Sequence, residues 1–272
     1  MTALLVLMAV LAALAIVKAR HVRLPLVSSS GCLARGRQAV VPLTTGQAEI
    51  AATIAGVALS RSMPVRAVTI AYAAALQESG LADLPYGDRD SVGVFQQRPS
   101  QGWGTRRQLL DPVYASARFF AALARVAGYQ RLPVYQAAQA VQHSADGRAY
   151  GQYAGQGAAM ATAFTGQVPH GVWCWYGSPV RGPGRLAAAR RELARIFGRL
   201  PAGRAPDPGL RVLAAGPGGW AVASWLVTHA AAYGIRTVTF DGYQWTAASG
   251  QGGWRRERPG PRRPPRAGVT FG

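Results

Sequence analysis

The chain has 272 residues, 49% of them hydrophobic and only 15% charged, which excludes a wholly disordered protein and leaves length for a medium domain with a smaller companion. Thirty basic residues against 11 acidic ones give a net charge of +19, carried by arginine except for Lys18. Such a field favours polyanions (nucleic acid, anionic lipid or an anionic wall polymer), and a chain-wide bias toward Ala, Arg and Gly accounts for part of it.

Residues 1–23 hold an uninterrupted apolar run from Ala3 to Val17. The run is shorter than the roughly 20 residues of a membrane span and matches the core of a signal peptide or an anchor. No basic residue precedes it, while Lys18, Arg20 and Arg23 follow, an order that by the positive-inside tendency keeps the downstream chain cytoplasmic. Export therefore requires either a basic leader upstream or an unusual anchor; a buried core helix is the remaining reading. Residues 24–44, with Ser28–Ser29–Ser30–Gly31, read as an irregular tether.

Helical patterning begins at residue 45. Ile50, Ile54 and Val57 form an apolar stripe, and Pro64 opens a second helix in which Val68, Ala71, Tyr72 and Ala75 repeat up to Gly80, a C-cap. Residues 81–104, dense in Gly, Pro, Asp and Ser, read as a loop with a short hairpin. Asp111–Pro112 starts a helix with Val113, Ala117, Phe120, Ala121 and Ala124 on one face, and another runs from Pro133 to about Ser144. Residues 45–176 are thus predicted as one mainly α domain with a loop-rich cleft. A linker and basic helix (177–208), a small α/β module of strand, helix and strand (209–248) and a disordered Pro/Arg tail (249–272) follow.

Cys32 and Cys174 form no metal-type spacing, so they are either one disulfide in an exported protein or two free thiols in a cytosolic one. Trp173 and Trp175 flank Cys174 and are predicted to pack around the bridge and shield its sulfurs. His21, His143, His170 and His229 are scattered and predict no metal site, and no phosphate-binding glycine motif is present.

Between residues 40 and 180 the carboxylates are Glu49, Glu78, Asp83, Asp88, Asp90, Asp111 and Asp146. Glu78 ends an alanine-rich helix, among apolar side chains and near the negative end of the helix dipole. Both surroundings favour the protonated form that a general acid needs. The polar loop that follows offers amides and hydroxyls to sugar hydroxyls, and Trp103 offers a flat apolar face to a pyranose ring. A solvated glutamate at a helix end is the plain alternative.

Gln77–Glu78–Ser79–Gly80–Leu81 and Ser91–Val92–Gly93–Val94–Phe95–Gln96 resemble, in order, the two signature motifs of soluble lytic transglycosylases and goose-type lysozymes. Tyr86–Gly87–Asp88–Arg89 resembles the Gly-Asp-Arg of the goose-type enzymes. Asp111–Pro112 with Phe119 to Leu123 resembles the family's Asn-Pro helix, and Gln139 to Ser144 through Tyr150 stands where the family has an Ala-Tyr-Asn segment. GDRDSVGVFQQRPSQGWGT followed by DPVY is similar to a group of actinobacterial exported lysozyme-like proteins. The resemblance spans about residues 45–155.

It implies a lysozyme-like fold, peptidoglycan as substrate, no cofactor or metal, and an extracytoplasmic place, in the wall or secreted, with residues 3–17 as a membrane anchor. Glu78 would be the general acid, with Ser79, Gly93, Phe95, Gln96, Gln97, Trp103 and Tyr150 around the sugar. Arg98 stands where goose-type enzymes have an aspartate, so Asp88 and Asp90 are the candidates for a second carboxylate, against a role in shaping the loop. Without one, a lytic reaction ending in a 1,6-anhydro sugar is expected instead of hydrolysis. The alternatives are a non-catalytic peptidoglycan-binding or scaffolding protein, and a nucleic-acid binder, against which no recognised nucleic-acid module appears. No feature sets an oligomeric state.

Overall fold

The computed structural model describes residues 30–144, 147–180, 184–203, 205, 209–257 and 268–272. The apolar run from Ala3 to Val17 lies outside them. Among the described residues no helix is long and apolar enough to cross a membrane. In chain order the elements are β1 (Gly31–Arg35), β2 (Val40–Leu43), α1 (Thr45–Ser60), α2 (Val65–Ser79), α3 (Arg106–Leu109), α4 (Pro112–Leu123), α5 (Val134–Gln142), α6 (Ala154–Phe164), β3 (Val172–Trp175), α7 (Leu186–Phe197), β4 (Ala202–Gly203), β5 (Leu210–Val212), α8 (Gly216–Thr228), α9 (Ala230–Tyr233), β6 (Thr237–Phe240), β7 (Tyr243–Thr246), β8 (Arg255–Arg256) and β9 (Val269–Phe271). Short 3-10 turns lie at Pro99–Gln101, Gly147–Tyr153 and Gly250–Gly252.

Two alanine-rich helices form the centre. α1 starts at a capping box, in which the Thr44 hydroxyl accepts from the Gln47 N–H and the Gln47 side chain accepts from the Thr44 N–H. It then buries Ala48, Ala51, Ala52, Ile54, Ala55, Val57 and Ala58. A helix apolar on nearly every side is an interior helix, and α1 accordingly packs against α4, α7 and α8. α2 is buried without a break from Ala67 to Leu76 and packs against α5 and α6. The Tyr72 hydroxyl donates to the Ala51 carbonyl at 2.7 Å and locks the two helices together. α4 opens as expected from Asp111–Pro112, with the Asp111 carboxylate accepting the Val113 N–H at 3.0 Å.

The architecture is mixed, not mainly α. Residues 30–44 were expected as tether and instead form β1 and β2, with β1 central in an antiparallel sheet ordered β2-β1-β3. Strands of four or five residues carry little pattern of their own, and β1 is completed by a partner far along the chain. Cys32 and Cys174 are direct cross-strand partners and form a disulfide. The tryptophans do not shield it: in β3, Val172 and Cys174 face the core, while Trp173 and Trp175 alternate onto the opposite face.

The second half also differs. The segment expected as a small α/β module is part of an antiparallel sheet ordered β4-β5-β9-β6-β7-β8. β9 comes from the tail expected to be disordered, yet it sits between β5 and β6 with Val269 and Phe271 buried. The expected linker helix, α7, is docked on α1. A methyl group at Gly56 would lie 2.4 Å from the Ile196 side chain, so only glycine lets the helices approach so closely. One continuous core runs from the helices into this sheet through Trp220, Trp225 and Trp245.

Candidate active site

Glu78 projects from the last turn of α2, which Gly80 closes in the left-handed conformation (φ 64°). The loop after it is tied back to the helix end. The Ser79 hydroxyl donates to the Val94 carbonyl at 2.7 Å and accepts the Ala82 N–H at 3.2 Å, and the Gly93 N–H donates to the Leu84 carbonyl at 2.7 Å. Gly93 has φ 78°, and a side chain there would meet the Leu109 carbonyl at 2.2 Å, so the position demands glycine on both counts. From the other side, the Gln142 amide at the end of α5 donates to the Phe95 carbonyl at 2.8 Å.

Glu78 then meets Tyr150. The tyrosine is fully buried in the 3-10 turn Gly147–Tyr153, and its hydroxyl donates to Oε1 of Glu78 at 2.5 Å. Burial, and then this bond to Glu78, push the Tyr150 hydroxyl well above the ordinary tyrosine range, while a bond from Ser144 pulls the other way. Tyr150 is therefore a neutral donor that holds one carboxyl oxygen of Glu78. Beside it, the Gln152 amide donates to the Gln77 side chain at 3.0 Å.

The other sequence candidates divide by burial. Ser79, Phe95 and Gln97 do not offer their side chains to a ligand. The Ser79 hydroxyl is spent on the loop. The Phe95 ring is fully buried and stacks on Phe119 at 4.5 Å, and Gln97, 3% exposed, reaches toward the Ala115 carbonyl in α4. Ser79 ties the helix end to the loop, while Phe95 and Gln97, alternate residues of a tight turn, point inward and shape it from behind. Gln96, with φ 47°, lays its amide across Gly87 and donates to the Gly93 and Tyr86 carbonyls at 3.1 and 3.3 Å. Trp103 is half-buried, packed on the core, and its carbonyl accepts from the Tyr114 hydroxyl at 3.3 Å.

The second-carboxylate candidates are also differentiated. Asp90 accepts from the Ser100 N–H (2.7 Å), the Ser100 hydroxyl (3.0 Å) and Arg98 Nε (2.7 Å), and these donors, the Ser100 N–H foremost, hold it far below the usual carboxylate range. A carboxylate so stabilised is a poor base, and Asp90 is a loop brace. Asp88 is exposed, with Arg89 at 3.9 Å.

Asp83 was not singled out by sequence. It is half-buried, its Oδ1 has no hydrogen-bond partner among the described residues, and burial followed by the charge of Asp111 pushes its pKa up to about 6. Its one sequence signal is position, five residues after Glu78 in the same loop. Among the described residues no group of three His, Cys, Asp or Glu is placed to hold a metal ion. Comparison with models of known families and with curated proteins gives no match.

Proposed function

We propose that the chain is a peptidoglycan-cleaving enzyme of the lytic transglycosylase type, acting outside the cytoplasm, with Glu78 as its acid and base. The observation that carries the reading is the bond between Glu78 and Tyr150, 72 residues apart, at the mouth of the clamped loop. With Oε1 held by Tyr150, Oε2 carries the proton that passes to the glycosidic oxygen as the C1–O4 bond breaks. The resulting carboxylate, still bonded to Tyr150, takes the proton of the sugar's own C6 hydroxyl as that oxygen closes on C1. Protons balance and the product is a 1,6-anhydro end. The commitment of Asp90 to the loop and the exposure of Asp88 favour this course over inverting hydrolysis, which needs a second carboxylate roughly 6.5–9.5 Å from the acid. The disulfide supports an oxidising compartment.

Mass spectrometry of peptidoglycan digested by the wild type and by Glu78→Gln tests the proposal. Anhydro ends from the wild type and none from the variant are expected. Reducing ends would make the enzyme a hydrolase, and binding without release, unchanged in the variant, would make it a non-catalytic wall-binding protein.

A further inference from the structure

In α7, Arg195 bonds both Asp111, at 2.6 Å, and Glu192, at 2.6 Å. Arg190 and Arg191 are exposed and make no ion pair with any described residue, and Arg199 just beyond the helix is the same. Ala187, Arg190, Arg191 and Ala194 follow the three- and four-residue spacing of a single helix face. Because two of the four are alanines, that face does not fill the space between α7 and the segment that leads into β4. Two cavities of about 460 and 380 Å³ remain, both lined in part by Arg190 and Ala194, with Leu200, Pro201 and Leu210 among their lining.

We propose that this groove binds a thin phosphodiester chain with short polyol spacers, such as an anionic wall polymer presents, so that the enzyme docks on the wall through residues separate from Glu78 and Tyr150. Three guanidiniums that no described acid neutralises form a phosphate-recognition set, and guanidinium geometry suits phosphate oxygens. The apolar patches between them suit the carbons of a spacer. A flat lipid surface does not enter a concave groove, and a nucleic acid would lack the aromatic platforms on which its bases stack, since no aromatic residue lines either cavity. The choice of a wall polymer rests on the wall-enzyme reading, while the binding itself does not require turnover.

The test is fluorescence anisotropy of the full chain with a labelled glycerol-phosphate oligomer, across a salt series. Arg190→Gln/Arg191→Gln/Arg199→Gln is compared with Arg61→Gln/Arg125→Gln/Arg131→Gln, which removes the same charge from exposed positions elsewhere. The groove variant should bind at least tenfold more weakly, with the salt slope lower by about 2, at roughly 0.7 per lost phosphate contact. The comparison variant should lose less than threefold. Equal losses in the two variants, no binding by the wild type, or a single-stranded oligonucleotide bound as tightly through the same three arginines would each overturn the inference. A chain that binds the oligomer through the groove yet leaves peptidoglycan uncut would overturn only the proposed function.

Discussion

Reducing the Cys32–Cys174 disulfide perturbs the whole fold through its unfolded state. The bridge spans 142 residues of sequence, and the loop-closure entropy removed from the unfolded chain by a link of that length corresponds to about 5 kcal/mol. In the folded protein the half-cystines are direct partners in β1 and β3, fully buried, and the Cys174 carbonyl accepts the Trp245 indole N–H at 3.0 Å. Strand pairing therefore keeps them together when the bond is cut, and the loss falls on the unfolded side. Urea denaturation with and without dithiothreitol measures it. At a slope of about 3 kcal/mol per molar, the midpoint should drop by about 1.7 M on reduction. The slope itself should rise, because an uncrosslinked chain exposes more surface. Cys32→Ala/Cys174→Ala should behave like the reduced protein and ignore the reductant. A midpoint shift below about 0.3 M, or an unchanged slope, would refute the view that the bridge acts on the unfolded chain.

Tyr150→Phe keeps the buried ring and removes the donor to Glu78. A charge-assisted bond is worth about 1.5–3 kcal/mol, so turnover on isolated walls should fall roughly 10- to 100-fold with little change in melting temperature; unchanged turnover would mean that Glu78 needs no such support. For Asp83, a folded-state pKa near 6 against an ordinary 3.8 means that its charge opposes folding above about pH 6. After allowance for its partial exposure the cost is about 1 kcal/mol. Asp83→Asn should therefore melt about 2–4 °C higher at pH 7.5, with the gain fading through pH 6 and gone near pH 4, and scanning fluorimetry showing equal melting at pH 7.5 would contradict this. His229 is stacked on Trp225 at 4.0 Å, and burial lowers its pKa to about 4. The stability of the neutral ring is present above pH 6.5 and is lost as pH falls toward 4, by about 3 kcal/mol. His229→Phe should flatten that acid limb in urea titrations at pH 7 and 4.5, and an equally steep limb would count against it.

The helices were legible because their signals are local. A capping residue, a proline at the first turn and apolar spacing of three and four act within a few residues, so α1, α2 and α4 start close to where the sequence places them. Glu78 stood out as a lone carboxylate on an alanine-rich helix, and Tyr150 through its motif, each from its own neighbourhood. Their bond, like the pairing of β1 with β3 and the insertion of β9 between β5 and β6, joins residues too distant for any window of sequence to relate. The inward turn of Phe95 and Gln97 and the buried Oδ1 of Asp83, unpaired among the described residues, have the same origin. Local sequence determined which segments coil and which polar side chains stand out along them, because propensity and capping are nearest-neighbour effects. Tertiary structure alone decided which of those side chains are buried and which meet, because burial and pairing depend on what the rest of the chain brings beside them.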